Sequence, residues 1–169
     1  MTKLRITLVQ SHLYWENPKE NRNHIDALIS KVKDTDIFIL PELFSTAFSV
    51  TCKGEAMNGE SMQWMSKLAQ QKQASVVGSL ITAENGSKYN RLIWMNPDGT
   101  YFHYDKRHLF GMMNEGDYFK AGKDRLIIDF KGWKICPLIC YDLRFPVFSR
   151  NNENFDLLLY VANWPVSRI

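Results

Sequence analysis

The apolar positions in the N-terminal part of the chain predict two strands separated by a helix. Residues 4–10 carry apolar side chains at every second position, which is the period of a strand: Leu4, Ile6 and Leu8. Residues 36–40, DIFIL, are a short continuous apolar run, as expected of a strand covered on both faces.

Residues 17–33 predict the intervening helix. Asn17 is suited to the N-cap, Pro18 to the first helical position, and Glu20 stands three residues after the cap. Apolar residues then recur at helical spacing and predict one buried stripe: Ile25, Leu28, Ile29 and Val32.

The remaining chain predicts mostly strands, with one further full helix over 59–73 and a helix start within 145–151. The predicted strands are 75–82, 90–96, 101–105, 125–130, 133–140 and 155–163. Residues 106–123 read as a loop, and Pro137 inside a strand predicts an edge position or a bulge because it cannot donate to a ladder. This order indicates a mixed α/β fold, organised as a single domain over residues 1–169.

Composition and charge narrow the class of protein. The 169 residues are 45% hydrophobic, enough for a core, and the 21 basic and 18 acidic residues are scattered, giving a net charge of +3. This distribution argues against nucleic acid or an anionic membrane as the main partner. The three cysteines favour a reducing compartment, and Gln10 interrupts any N-terminal signal peptide. We expect a soluble, cytoplasmic protein.

Three reactive side chains stand where predicted strands end. Glu42 follows DIFILP, Lys106 follows YFHYD, and Cys140 closes WKICPLIC. Taken singly, each is more often structural: a packed cysteine, a solvated glutamate, a surface lysine. Taken together they suit acyl transfer, because a thiol needs a base, a carboxylate can supply one, and an ammonium can stabilise an oxyanion.

At these residues the sequence resembles the nitrilase, or carbon–nitrogen hydrolase, superfamily. The matching motifs are LPELFSTAF, YDKRHLF and LICYDLRFP, and together with FKAG and YVANWP they look most like the omega-amidase branch. That resemblance implies hydrolysis of the terminal amide of a small 2-oxo dicarboxylic acid monoamide, such as 2-oxoglutaramate or 2-oxosuccinamate. It implies a small-molecule amide substrate, a cysteine thioester, no cofactor and no metal.

The resemblance also implies roles for individual residues. Glu42 becomes the general base and later acid, Lys106 stabilises the oxyanion, and Cys140 is the nucleophile. Glu115, in EGDYFKAG, fits a second glutamate of the family, and the Tyr141 backbone N–H completes the oxyanion hole.

Further residues are candidates for the substrate pocket. Arg144 could meet a substrate carboxylate, although a structural salt bridge in the turn is the favoured interpretation. Asn163 and Trp164 end the last strand near the expected pocket, and Phe48 could form a wall, although core packing is the commoner role for such a residue.

The family fold implied is an αββα sandwich with mixed sheets, assembled as a homodimer. Family members continue beyond the last predicted strand, so we expect the C-terminal third to be missing from this chain. That leaves a non-catalytic, nitrilase-like module as an alternative. Another amide or N-carbamoyl hydrolase of the same superfamily is the runner-up within enzymes.

Two other chemistries are disfavoured by the residues themselves. A Cys–His protease would use one of His12, His24, His103 and His108, but none has a local protease signature. Structural zinc would need a second ligand pair near Cys136 and Cys140, and none is present, so Cys136 is assigned to the core.

Overall fold

The structure, a computed structural model, describes residues 3–164 and contains two β-sheets. The first sheet has the order β1-β2-β3-β4-β5, with strands Ile6–Leu8, Ile37–Ile39, Ser75–Glu84, Ser87–Met95 and Tyr101–Asp105. The second has the order β6-β7-β8, with strands Ile128–Phe130, Trp133–Ile139 and Leu157–Val161. Both sheets mix parallel and antiparallel pairs, as the sequence predicted.

Helices α1, Pro18–Ile29, and α2, Glu60–Lys72, connect the three parallel strands of the first sheet. The predicted N-cap is confirmed, because the Asn17 side chain accepts a hydrogen bond from the Glu20 N–H at 3.2 Å. Helix α1 ends at Ile29, four residues earlier than predicted. Lys72 of α2 donates to the carbonyls of Ile29, Ser30 and Val32, which satisfies the end of α1 from outside.

The core has two main layers. One lies between the helices and the first sheet, and it contains Ile25, Phe38, Met65 and Val76. The other lies between the two sheets, where Ile37 and Ile39 face strand residues such as Ile135 and Leu138. Strand β2 is therefore buried on both faces, which explains its continuous apolar run.

The two predicted apolar faces, on the first strand and on α1, are only partly buried. Strand β1 is the edge strand of the first sheet, where Ile6 is 36% and Leu8 is 71% exposed. Val9, which follows Leu8 and belongs to the opposite face, is buried instead. On α1, Ile25 and Ile29 are buried but Leu28 is 44% exposed, because the helix presents a narrower stripe than predicted.

Pro137 lies inside β7 without disrupting the ladder. Strand β6 pairs with β7 only as far as Ile135, so at Pro137 the pairing is with β8 alone. Although β7 is the central strand of its sheet, Pro137 has a strand partner on one side only, as at an edge. The missing N–H therefore deprives no β6 residue of a hydrogen bond.

The predicted loop over 106–123 contains a 3₁₀ turn, Gly111–Met113, and a short helix α3, Glu115–Tyr118. The loop returns to its origin through Gly122, whose N–H donates to the Lys106 carbonyl at 3.0 Å. A Cβ at Gly122 would lie 2.1 Å from the Asp105 carbonyl oxygen, so only glycine permits this approach. Within residues 3–164, none of the helices has the length and apolarity to cross a membrane.

Candidate active site

Three strand ends bring the predicted reactive residues together. Glu42 follows β2, Lys106 directly follows β5, and Cys140 directly follows β7. Sites in such sheets form where strands end and loops begin, so residues distant in sequence can share one cavity. Cys140 follows a strand of the second sheet, whereas Glu42 and Lys106 follow strands of the first.

Lys106 lies between two carboxylates. Its Nζ is 2.8 Å from Glu42 Oε1, and 3.0 and 2.8 Å from Glu115 Oε1 and Oε2. All three side chains are buried, with at most 1% of each exposed. The Phe110 N–H also donates to Glu115 Oε2 at 2.6 Å, which ties the loop after Lys106 to the same carboxylate. The structure therefore places Glu115 where the sequence resemblance expected it.

Asn90 is a fourth member of this cluster, and sequence reasoning missed it. Its Nδ2 donates to Glu42 Oε1 at 2.9 Å and to Glu115 Oε1 at 3.0 Å. Both carboxylates thus share two donors, Asn90 and Lys106. A signal existed: Asn90 lies inside β4, where asparagine is disfavoured, yet it is fully buried.

One carboxylate oxygen of Glu42 is available to accept a proton. Its Oε1 is occupied by Lys106 and Asn90, whereas Oε2 accepts no hydrogen bond of standard geometry within the described chain. Burial raises the pKa of Glu42, and the Glu115 charge adds to this, while Lys106 and the Cys140 thiol oppose it. A carboxylate with a raised pKa is a stronger base toward a neighbouring thiol.

Cys140 is a neutral thiol at rest. Burial, followed by the neighbouring Glu42 charge, raises the pKa of Cys140 to about 12, although Lys106 opposes the shift. Burial would lower the pKa of Lys106, but Glu42 and Glu115 outweigh it and raise that pKa above its ordinary value. The ammonium is therefore permanent, and the thiol needs a base to become nucleophilic.

A cavity of about 170 Å³ opens beside Cys140 and Lys106. Its walls include every predicted substrate-binding residue: Phe48, Tyr141, Arg144, Asn163 and Trp164. Glu42 and Glu115 are fully buried and are not wall residues, but each forms an ion pair with the wall residue Lys106. The walls also include residues that sequence reasoning missed: Trp15, Ala47, Phe110 and Met113. The cavity is below the usual range for drug-sized ligands, so it suits a small molecule.

Arg144 differs from the favoured sequence interpretation. It lines the cavity and is exposed, and it forms no salt bridge with any acidic side chain in residues 3–164. Among the described residues the expected structural ion pair is therefore not observed, and Arg144 lines the cavity with no acidic side chain there within ion-pair distance. Phe48, by contrast, is a wall residue, with its ring 5.6 Å from Lys106 Nζ.

Two residues weighed for the disfavoured chemistries, His108 and Cys136, have structural surroundings. His108 Nδ1 lies 2.8 Å from Asp142 Oδ1, and the imidazole is stacked on Phe145. Cys136 is fully buried between the sheets, as predicted. Asp142 itself is fully buried two residues after Cys140, and sequence reasoning assigned it no role.

The chain is similar to several known proteins. The family model described as carbon–nitrogen hydrolase matches residues 5–167. The omega-amidase YafV of Yersinia enterocolitica is 40% identical over 169 residues, covering 99% of this chain and 66% of the relative. The 2-oxoglutaramate amidase of Bacillus subtilis (strain 168) is 31% identical over 175 residues, covering 99% of this chain and 68% of the relative.

A solved structure matches the fold closely. The CN-hydrolase superfamily protein XC1258 of Xanthomonas campestris, whose crystal structure carries an arsenic adduct in the active site, is 43% identical, with a TM-score of 0.95. The match covers 99% of this chain and 68% of that one. The chain thus spans about two thirds of the length of the proteins it matches.

Replacing Asn90 by alanine should leave less of Glu42 ionised near neutral pH. The Asn90 amide stabilises the ionised form of Glu42, so its loss raises the Glu42 pKa further and moves the acid limb of the kcat–pH profile to higher pH. One hydrogen bond to a charged group predicts a decrease in kcat of about 10-fold to 100-fold near neutral pH. Asn152, exposed and remote from this cluster, provides the matched control Asn152→Ala. An unshifted acid limb in a folded Asn90→Ala protein would contradict the assignment.

Proposed function

The chain belongs to the carbon–nitrogen hydrolase family, and we propose that it is an omega-amidase. The proposed reaction converts a small 2-oxo dicarboxylic acid monoamide, such as 2-oxoglutaramate or 2-oxosuccinamate, to the dicarboxylic acid and ammonia. The observation that carries the proposal is the buried Glu42–Lys106–Glu115 cluster, whose Lys106 lines one small cavity together with Cys140. Relatives named omega-amidase and 2-oxoglutaramate amidase support this choice of substrate.

The first half of the reaction forms a thioester. Cys140 Sγ attacks the amide carbon while the thiol proton moves to Glu42 Oε2. The carbonyl electron pair moves to oxygen, where Lys106 Nζ and the Tyr141 N–H stabilise the negative charge. The C–N bond then breaks, and Glu42 donates its proton to the departing ammonia.

The second half regenerates the enzyme. Water attacks the thioester carbon while Glu42 accepts a proton from it, and the C–S bond breaks to release the acid. Glu42 then returns the proton to the Cys140 thiolate. Glu115 acts throughout on Lys106, because its carboxylate holds the ammonium in place and keeps it charged. This reaction requires no metal or organic cofactor.

We assign Arg144 to the distal carboxylate of the substrate. The Lys106 charge is already matched by two glutamates, whereas Arg144 faces the cavity without an acidic neighbour in the described chain. A guanidinium binds a carboxylate through two parallel hydrogen bonds, which would orient the terminal amide toward Cys140. The aromatic walls around them limit the length of the acyl chain.

We also propose that the protein acts as a cytoplasmic homodimer, with the segment after Cys140 at the interface. Leu143 is 38% and Val147 is 76% exposed on that segment, and apolar exposure of this kind favours association. A sedimentation measurement that gives a stable monomer would remove this part of the proposal.

The direct test of function is a substrate panel on the full chain. We expect kcat/KM for ammonia release to be highest on 2-oxoglutaramate, lower on an N-carbamoyl amine and lowest on a simple nitrile. Cys140→Ala should lower it by at least about 10³-fold, because the nucleophile is lost. Cys52→Ala, at a half-buried cysteine outside the cavity, should retain activity.

The outcomes of the panel separate the alternatives. Preference for the carbamoyl amine would favour the runner-up hydrolase, and folded protein without any turnover would favour a non-catalytic module. Wild-type turnover by Cys140→Ala would overturn the nucleophile.

Arg144→Met should raise KM for 2-oxoglutaramate by about 10-fold to 100-fold, since a charge-assisted pair is lost. Methionine keeps an unbranched apolar stem, is shorter than arginine and carries no charge. The rate on a simple amide of equal length that lacks the carboxylate should change little. Arg150→Met, at an exposed arginine outside the cavity, is the matched control. Equal losses on both amides would argue against carboxylate recognition.

A further inference from the structure

Cys140 has an unusual backbone conformation for a residue with a side chain. Its φ is +36°, in the left-handed region that favours glycine. Cys140 directly follows β7 and is the first residue of a 3₁₀ turn, Cys140–Arg144. Such a conformation persists only where the surroundings hold it, and it commonly marks a functional site. The contacts that hold the Cys140 backbone in this conformation come from a buried carboxylate.

Asp142 makes the contacts that close this turn. Its Oδ2 accepts hydrogen bonds from the Ile139 N–H at 3.0 Å and from the Tyr104 hydroxyl at 2.7 Å. Its Oδ1 accepts from the His108 N–H at 3.0 Å and lies 2.8 Å from His108 Nδ1. One fully buried carboxylate therefore accepts three hydrogen bonds, and the His108 tautomer with its proton on Nδ1 supplies a fourth.

These four contacts join the two halves of the site. Ile139 immediately precedes Cys140, so the bond from its N–H closes a tight ring around Cys140 and Tyr141. Tyr104 and His108 stand two residues before and two residues after Lys106. The same carboxylate thus holds the turn that displays the thiol and the strand end that displays the ammonium.

We propose that Asp142 is a positioning residue that sets the Cys140 thiol and the Tyr141 N–H in register with Lys106. The inference rests on the proposed function, in which Cys140 attacks an amide and Lys106 stabilises the oxyanion. Asp142 touches neither the substrate nor a reacting atom; it acts through Ile139, Tyr104 and His108.

The chemistry of the four neighbours requires a carboxylate at this position. Each neighbour donates, so a group with two acceptor oxygens satisfies all of them, whereas an amide would turn its NH₂ toward two donors. Burial and then the Asp142 charge raise the pKa of Tyr104, so its hydroxyl stays protonated as a donor. The His108 ring is stacked on Phe145 at 3.7 Å, which fixes its direction toward Asp142.

The test is Asp142→Asn, which keeps size and shape, with Asp129→Asn at an exposed strand position as the matched control. Misplacing reacting groups by about 1 Å predicts a loss in kcat on the order of 10²-fold. KM for 2-oxoglutaramate should stay within about threefold, because the walls that bind the substrate remain. The control should behave as wild type.

A second readout does not depend on turnover. Iodoacetamide alkylation of Cys140, followed by peptide mass spectrometry, should be at least about tenfold slower in Asp142→Asn, because the thiol no longer faces its base. If wild-type protein hydrolyses none of the amides, the proposed function fails, but this ratio of alkylation rates still tests Asp142.

Tyr104→Phe keeps the proposal testable if Asp142→Asn does not fold. It removes one donor to Asp142, so it should lower kcat and the alkylation rate in the same direction but less, with KM unchanged. Wild-type kcat and alkylation in folded Asp142→Asn, or in Tyr104→Phe if that variant alone folds, would overturn the proposal. A loss of activity that follows only the folded fraction would overturn it as well.

Discussion

One buried ammonium between two buried carboxylates is the constraint on which the site depends. Burying a charge is unfavourable unless it is paired and hydrogen-bonded, and removing one partner leaves the others uncompensated. Lys106, Glu42 and Glu115 satisfy one another, and Asn90 adds a shared donor. The cluster therefore fixes one oxygen of Glu42 in the acceptor role and leaves the other for the thiol. Base strength and oxyanion stabilisation thus come from the same contacts.

The fold supports this cluster through strained segments held by buried polar groups. The loop after Glu42 has positive φ at Leu43, Ala47 and Phe48, and Leu43 N–H donates to Ser79 Oγ at 2.8 Å. Asn21, fully buried, donates to the Ser45 carbonyl of the same loop at 2.8 Å. Backbone strain at positive φ persists only where the surrounding structure is rigid. It allows side chains to point in directions that a regular helix or strand does not permit. The two sheets supply that rigidity.

The sequence predicted the elements and the four reactive residues better than the contacts between them. Strand ends and motif matches located Glu42, Lys106 and Cys140, since local pattern determines where strands stop. Asn90 and Asp142 escaped prediction because their roles arise from partners distant in the chain. The exposure of Ile6, Leu8 and Leu28 did not follow from the pattern, because periodicity groups residues on one face but does not show what covers that face.

The central claim is that Cys140 is protonated at rest and depends on Glu42 for activation. The most direct measurement is the ultraviolet absorbance of the Cys140 thiolate as a function of pH, taken as the difference between wild type and Cys140→Ala. Burial and the Glu42 charge raise the pKa of Cys140 to about 12, so the thiolate is a minor species near neutrality. We predict no Cys140 thiolate absorbance from about pH 6 to about pH 9. A thiolate absorbance that reaches its plateau below about pH 8 would show a preformed thiolate and contradict this claim.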